Sequence, residues 1–186
     1  MATLALLTSL GTIAIKVHDD RAPTTAAYVR ALAEGGRYDG AEFYRRTTLG
    51  EPGRRPLVQG GPMAPMFLGT GDRPPDLPLL SEIEGTEITG LTHRRGTVSL
   101  GRDLFETGHA LPELFLCLDD YPDLDASGRT EPDAIGFPAF GTVTKGLDVV
   151  ETIAASASEG TSPFDRLTGE VLTEPVLINS AWWVED

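Results

Sequence analysis

The sequence has a single cysteine and no long apolar run. One cysteine excludes an intrachain disulfide and a cysteine-rich metal site. Because Cys117 lies within the apolar residues 114–118, we expect a buried, unreactive thiol. No stretch approaches the roughly 20 apolar residues that a membrane span requires, so a membrane is not expected as a partner.

The apolar N-terminal segment, residues 1–10, carries no basic residue and runs directly into the strand-like residues 11–17. We interpret these segments as the first hairpin of the fold and not as a signal peptide. A cytoplasmic location is therefore expected. The alternative is a periplasmic or exported protein from which an export signal has been trimmed, since trimming would leave the same sequence.

Basic residues are also few, with 15 Lys and Arg against 28 Asp and Glu, so the formal net charge is −13. A protein that binds nucleic acid needs a basic face to displace counterions from the phosphates. Nucleic acid is therefore excluded as an expected partner, and we interpret the acidity as a solubility feature.

Common cofactor, metal and nucleophile motifs are missing. Gly69-Thr70-Gly71 lacks the rest of a dinucleotide fingerprint, no G-x-S-x-G elbow occurs, and histidines 18, 93 and 109 share no metal-ligand spacing. Residues 123–128 resemble the first half of a calcium loop, but Ala134 stands where the bidentate glutamate belongs. We expect neither a metal nor a cofactor, and a calcium-dependent barrel stays as a lesser alternative.

Glycine (21 residues) and proline (14) are abundant and spread along the chain, which favours a turn-rich fold over a helical bundle. Two helices are predicted, at residues 26–34, with the threonines after Pro23 as caps, and at residues 147–155. The predicted strands are residues 2–9, 12–17, 40–48, 57–59, 97–101, 114–118, 139–144 and 175–180. Residues 62–89 are expected to be irregular, and residues 119–136 to form an acidic surface loop. These elements predict one mainly β domain over residues 1–186, a closed antiparallel barrel of eight strands capped by two α-helices.

Three separated segments carry a more specific pattern: Phe43-Tyr44-Arg45-Arg46, Leu57-Val58-Gln59-Gly60-Gly61 and Leu114-Phe115-Leu116-Cys117. In this order they resemble the cyclophilin-type peptidyl-prolyl cis–trans isomerase family. That family has a Phe-His-Arg strand, a Gln-Gly-Gly soon after it, and an apolar strand whose Phe lines a proline pocket. Weaker matches in consistent order extend the resemblance from about residue 8 to residue 178.

The resemblance implies a divergent, bacterial-like isomerase that acts on X–Pro bonds of polypeptide clients, as a monomer and without a cofactor. It implies that Arg45 is catalytic and that Gln59 orients it. The substrate-binding positions implied in the same way are Leu57, Phe115, Leu124, Phe137, Gly101, Arg102 and Glu113. Phe137 stands where the family usually has a histidine that borders the pocket.

Several positions depart from the family pattern. Tyr44 replaces a histidine, Arg102 an asparagine and Glu113 a glutamine, and we expect Arg102 and Glu113 to pair across the groove. Asp123 replaces a tryptophan that supports cyclosporin binding in sensitive members, so weak or no cyclosporin binding is predicted. The loop between Arg45 and Gln59 is several residues longer than usual.

Arg45 has to be distinguished from its neighbour Arg46. Neighbouring side chains on a strand point to opposite faces, so Arg45 shares the face of Phe43 and Arg46 does not. Strand alternation and the motif therefore both select Arg45. A second hypothesis, from a different functional class, is a catalytically weak proline-peptide binding module or chaperone on the same fold.

Overall fold

A computed structural model describes residues 2–185 of the chain. Eight antiparallel strands form a closed barrel in the order β1-β2-β7-β5-β6-β4-β3-β8, because β8 pairs with both β3 and β1. The strands are β1 Ala2–Thr8, β2 Gly11–Val17, β3 Glu42–Thr47, β4 Leu57–Gly61, β5 Thr97–Arg102, β6 Ala110–Cys117, β7 Ala139–Lys145 and β8 Val171–Glu185. The predicted mainly β barrel is confirmed.

Within residues 2–185, four α-helices accompany the barrel: α1 Pro23–Glu34, α2 Ala64–Leu68, α3 Thr86–Thr89 and α4 Leu147–Ala155. The two predicted helices correspond to α1 and α4, and both pack apolar faces into the main core. The short helices α2 and α3 were not predicted, and they lie in the segment expected to be irregular. No helix within residues 2–185 is long and apolar enough to cross a bilayer.

The start of α1 differs from the prediction. Its threonines make no side-chain cap. Instead, the buried Glu84 carboxylate accepts hydrogen bonds from the backbone N–H groups of Thr24 and Thr25, at 3.1 and 2.7 Å. A carboxylate at this end also suits the positive pole of the helix dipole. The cap comes from a loop about 60 residues away, which local sequence patterns do not reveal.

Alternation along β4 and β6 separates the barrel core from a second apolar cluster. Val58, Leu114 and Leu116 belong to the main core, whereas Leu57 and Phe115 belong to the second cluster. Because neighbouring residues on a strand face opposite ways, the second cluster lies on the outer side of these strands. This outer side carries the candidate site.

Gly60 allows β3 and β4 to approach closely beside that site. A Cβ atom at position 60 would lie 2.4 Å from the Glu42 carbonyl oxygen and 2.5 Å from the Phe43 Cα atom. Any side chain would therefore push the two strands apart. Close packing of β3 and β4 therefore explains why the first residue after the glutamine of Gln-Gly-Gly is a glycine.

Candidate active site

A cavity of about 680 Å³ opens on the outer side of β3, β4, β5 and β6. Of the positions predicted to form the site, the structure brings together Arg45, Leu57, Gln59, Gly101, Arg102, Phe115, Leu124 and Phe137. Glu113 is the exception, because its side chain is completely buried and does not line the cavity.

Strand register places three of these residues in one row. Arg45 on β3 pairs with Gln59 on β4, and Gln59 pairs with Phe115 on β6. Neighbouring strands are about 4.8 Å apart, so a cationic group, an amide and an aromatic ring follow one another across the sheet. This row joins the polar and apolar halves of the cavity.

The Arg45 guanidinium is held from two sides. Its Nη1 donates to the Gln59 Oε1 at 2.8 Å, and its Nε donates to the Glu170 Oε2 at 2.7 Å. The Nη2 atom lies 2.6 Å from the same Glu170 oxygen, and the Arg45 side chain is only 19% exposed. A guanidinium has five N–H donors, so donors remain for a ligand after both partners are satisfied.

A β-bulge between Phe43 and Arg45 corrects the alternation argument. Phe43 and Tyr44 are both completely buried, so the strict two-residue period does not hold here. Arg45 and Arg46 still diverge, because Arg46 donates to the Ala154 carbonyl at 3.0 Å while Arg45 lines the cavity. The bulge, not simple alternation, sets the direction of Arg45.

Phe115 forms the centre of the apolar half of the cavity. Its ring meets that of Phe137 edge to face, with centroids 5.8 Å apart, and stacks on His93 at 5.6 Å. Leu57 and Leu124 belong to the same cluster. These apolar side chains line the part of the cavity next to Gln59.

Arg102 and Glu113 do not pair, so that expectation was wrong. Arg102, whose side chain is 1% exposed, makes two hydrogen bonds to Asp133, at 3.1 and 2.8 Å. These hydrogen bonds lower the pKa of Asp133. Glu113 instead accepts hydrogen bonds from the Tyr44 hydroxyl and the Met63 backbone N–H.

The segment 119–136 is more than the surface loop that was expected. Tyr121 and Leu124 are buried in the second cluster, and Asp125 contacts the buried His93 at 2.7 Å. With the Arg102–Asp133 pair, these contacts fix the segment against the cavity. Leu124, and Phe137 directly after the segment, are therefore held in fixed positions beside the cavity.

Sequence reasoning missed several residues around the cavity. Glu170, the partner of Arg45, is about 125 residues away in the chain and is brought close by β3–β8 pairing. At the other end, the Arg166 guanidinium lies over the rings of Phe105 and Phe164, at 4.9 and 4.8 Å. No local pattern signals the Glu170–Arg45 or the Arg166–Phe105 contact, because each joins residues that are far apart in the chain.

Comparison with known proteins gives consistent results. Residues 3–181 match the family model described as cyclophilin type peptidyl-prolyl cis-trans isomerase/CLD. The chain is 30% identical to a peptidyl-prolyl cis-trans isomerase of Streptomyces antibioticus, over 97% of this chain and 98% of the relative. It is 28% identical to peptidyl-prolyl cis-trans isomerase A of Dickeya dadantii, over 95% of this chain and 81% of the relative.

Among solved structures, a cyclophilin type peptidyl-prolyl cis-trans isomerase of Cryptosporidium parvum has a similar fold. Its crystal structure, determined in the presence of the dipeptide Ala-Pro, has a TM-score of 0.71 with this chain. The sequence identity is 16%, and 99% of each chain is covered.

Proposed function

Because the chain belongs to the cyclophilin-type peptidyl-prolyl cis–trans isomerase family, we propose that Arg45 drives catalysis beside a proline pocket centred on Phe115. The observation that carries the proposal is the row Arg45, Gln59 and Phe115 across three adjacent strands. A prolyl ring in that pocket would lie beside the guanidinium, with Gln59 between the two groups.

The chemistry needs no covalent step. Amide resonance sets a barrier of about 18–20 kcal/mol to rotation about the peptide bond. In the twisted state the prolyl nitrogen becomes pyramidal and regains a lone pair, which the planar ground state lacks. A fixed cationic donor beside this nitrogen stabilises the twisted state more than the planar one, and so lowers the barrier.

Arginine suits this role because it stays charged and holds its donors in a rigid fork. Gln59 and Glu170 hold that fork in place, so little reorganisation is needed when the substrate twists. The clients are proline-containing segments of unfolded or flexible chains, because the X–Pro bond has to enter the cavity. One chain supplies the whole site, and we propose that the protein acts as a monomer.

A prolyl isomerisation assay tests the proposed function. A test peptide with one X–Pro bond is followed with and without protein, and acceleration over the uncatalysed exchange is expected. An equal rate in both samples would reject the enzyme. Amide shifts around Phe115 on addition of Ala-Pro would then support the alternative, a proline-peptide binding module.

Besides holding the Arg45 guanidinium in place, the Glu170 carboxylate partly neutralises its charge, and this second effect favours the alternative. We expect Glu170→Gln to raise kcat/KM about threefold, because it keeps an acceptor but removes the negative charge beside the cation. Thr47 also contacts Glu170, so Thr47→Val serves as the control for local rearrangement. A fall in kcat/KM of Glu170→Gln would instead show that the charge is needed to hold Arg45 in place.

Cyclosporin is expected to bind weakly. Asp123 stands where sensitive members have an indole, and its carboxylate is engaged by Arg54 at 2.9 Å. Arg54 also lies 4.6 Å from the Tyr121 ring centroid, so a residue of the long β3–β4 loop packs against the segment that carries Asp123. Loss of an aromatic anchor costs about 2 kcal/mol or more, roughly a thirtyfold weaker affinity.

Calorimetric titration of cyclosporin measures this affinity directly. Asp123→Trp is expected to tighten binding. Asp120→Trp, on the same loop but directed toward the backbone N–H of Arg95, is the matched control and should change little. Wild-type affinity equal to that of sensitive members would contradict the prediction.

A further inference from the structure

Glu113 is a completely buried carboxylic acid that the proposed mechanism does not use. Its Oε1 accepts a hydrogen bond from the Met63 backbone N–H at 2.7 Å, and its Oε2 accepts one from the Tyr44 hydroxyl at 2.8 Å. A Cβ atom at Gly61 would lie 2.5 Å from the Glu113 Oε1. The second glycine of Gln-Gly-Gly therefore leaves the space that this carboxylate occupies.

The hydrogen bonds continue from Glu113 to Arg45 in one direction. Since the Tyr44 hydroxyl donates its proton to Glu113, its oxygen is free to accept from the Gln59 Nε2, which lies 3.2 Å away. The Gln59 Oε1 then faces Arg45 and accepts from its Nη1. Each step depends on the one before it, because a hydroxyl has only one proton to donate.

We propose that Glu113 is a positioning residue whose ionised carboxylate, acting through Tyr44, keeps the Gln59 amide oxygen turned toward Arg45. Only the predicted effect of Glu113 on the isomerisation rate rests on the proposed function. The orientation of the amide is a separate property that can be measured without turnover. Tyr44 and Glu113 are both departures from the family pattern, and the structure joins them in one pair.

Protonation of Glu113 would reverse the direction of hydrogen-bond donation along Gln59, Tyr44 and Glu113. Its Oε1 is occupied by the Met63 N–H, so the new O–H points to the Tyr44 oxygen. The Tyr44 hydroxyl must then donate elsewhere, and the Gln59 Oε1 is the acceptor it can gain if the amide flips. A flipped amide presents its N–H₂ group to the Arg45 guanidinium, so two donors face each other and Arg45 loses that support.

Burial raises the pKa of Glu113 to about 7, with the two hydrogen bonds acting in the opposite direction. The titratable groups that interact with it are Tyr44 from β3, Tyr28 from α1 and Tyr38 from the α1–β3 turn, and two cations lie next to these tyrosines, Arg45 beside Tyr44 and Arg73 beside Tyr28. Burial also raises the pKa of these three tyrosines above 10, so they stay neutral near pH 7. Glu113 is therefore ionised above about pH 7 and neutral below it.

Nuclear magnetic resonance tests the coupling directly. The Glu113 carboxyl carbon, assigned by its loss in Glu113→Gln, and the Gln59 side-chain amide are followed from pH 5.5 to 8.5. We expect both to shift with one midpoint in the wild type. In Tyr44→Phe, Glu113 should still titrate while the Gln59 amide no longer follows it.

The rate of prolyl exchange over the same pH range gives the second measurement. The wild type is expected to lose about five- to tenfold in rate as Glu113 becomes protonated. Glu113→Gln should show no such step, whereas a step caused by any other titratable group would survive in that variant. Tyr44→Phe should likewise be flat and less active than the wild type at pH 8.5.

The outcomes separate the two proposals. The inference is overturned if the Gln59 amide signal does not shift as Glu113 titrates. It is also overturned if that signal shifts equally in Tyr44→Phe. An active wild type without a pH step, or with the same step in Glu113→Gln, also overturns it. Absence of isomerase activity at every pH, with the amide coupling intact, rejects the proposed function but leaves the positioning role supported.

Discussion

Replacing Arg45 with alanine is expected to lower kcat/KM for prolyl isomerisation by about 10²- to 10³-fold, the loss typical of a removed donor that stabilises the transition state. The Arg45 side chain lines the cavity and is held by Gln59 and Glu170, whereas it contributes nothing to the main apolar core. The loss should therefore fall on kcat, with a smaller change in KM. The measurement is an isomerisation assay over a range of substrate concentrations.

Two further variants make the Arg45 result specific. Arg45→Lys keeps the charge but not the fork, so it should recover only part of the rate. Arg46→Ala is the matched control, because it removes a neighbouring guanidinium that bonds the Ala154 carbonyl outside the cavity. We expect it to keep kcat/KM within about twofold while lowering the thermal midpoint. If Arg45→Ala and the wild type had equal rates, the assignment of Arg45 would be wrong.

Replacing Phe115 with alanine is expected to lower kcat/KM about 10- to 100-fold, mainly through KM. The apolar contact of an aromatic side chain is worth about 1.5–3 kcal/mol to the group that packs on it. Phe115 is 4% exposed and packs against Phe137 and His93. Its removal should also reduce the free energy of unfolding by about 3 kcal/mol, since a cavity is left behind.

The Phe115 prediction needs both a kinetic and a denaturation measurement. Phe115→Leu keeps most of the apolar volume, so it should retain more affinity and more stability than the alanine variant. Phe105→Ala is the control for stability, because Phe105 is 78% exposed and its removal should cost less than about 0.5 kcal/mol. Unchanged KM in Phe115→Ala, at a temperature where the variant is folded, would place the proline pocket elsewhere.

Much of the fold follows from local patterns. The first hairpin, α1, β7 and α4 lie where apolar periodicity and turn residues predict them. Strand β6 begins before the predicted strand, β8 extends beyond the predicted strand at both ends, and α2 and α3 were missed. Pairing with neighbouring strands lengthens a strand beyond its own apolar run, and a helix of four or five residues is too short to show a period.

The candidate site also has a part that the sequence predicts and a part that it does not predict. Arg45, Gln59 and Phe115 could be selected from their order along the chain, and barrel pairing places them in one row. The residues that hold the site side chains in place could not be selected from the sequence. Arg102 pairs with Asp133 and not with Glu113, because Glu113 is completely buried and hydrogen-bonded to Tyr44 and Met63.

The order of residues along the chain is enough to predict the kind of protein: a turn-rich antiparallel barrel with an arginine, a glutamine and an apolar strand in the order of one isomerase family. Which donors and acceptors meet depends on how the strands pack in three dimensions. Glu170 reaches Arg45, and Glu113 reaches Gln59 through Tyr44, across strands far apart in the chain. Hydrogen bonds act over about 3 Å. Their partners are therefore set by strand register, a bulge and burial, none of which is readable from residue order.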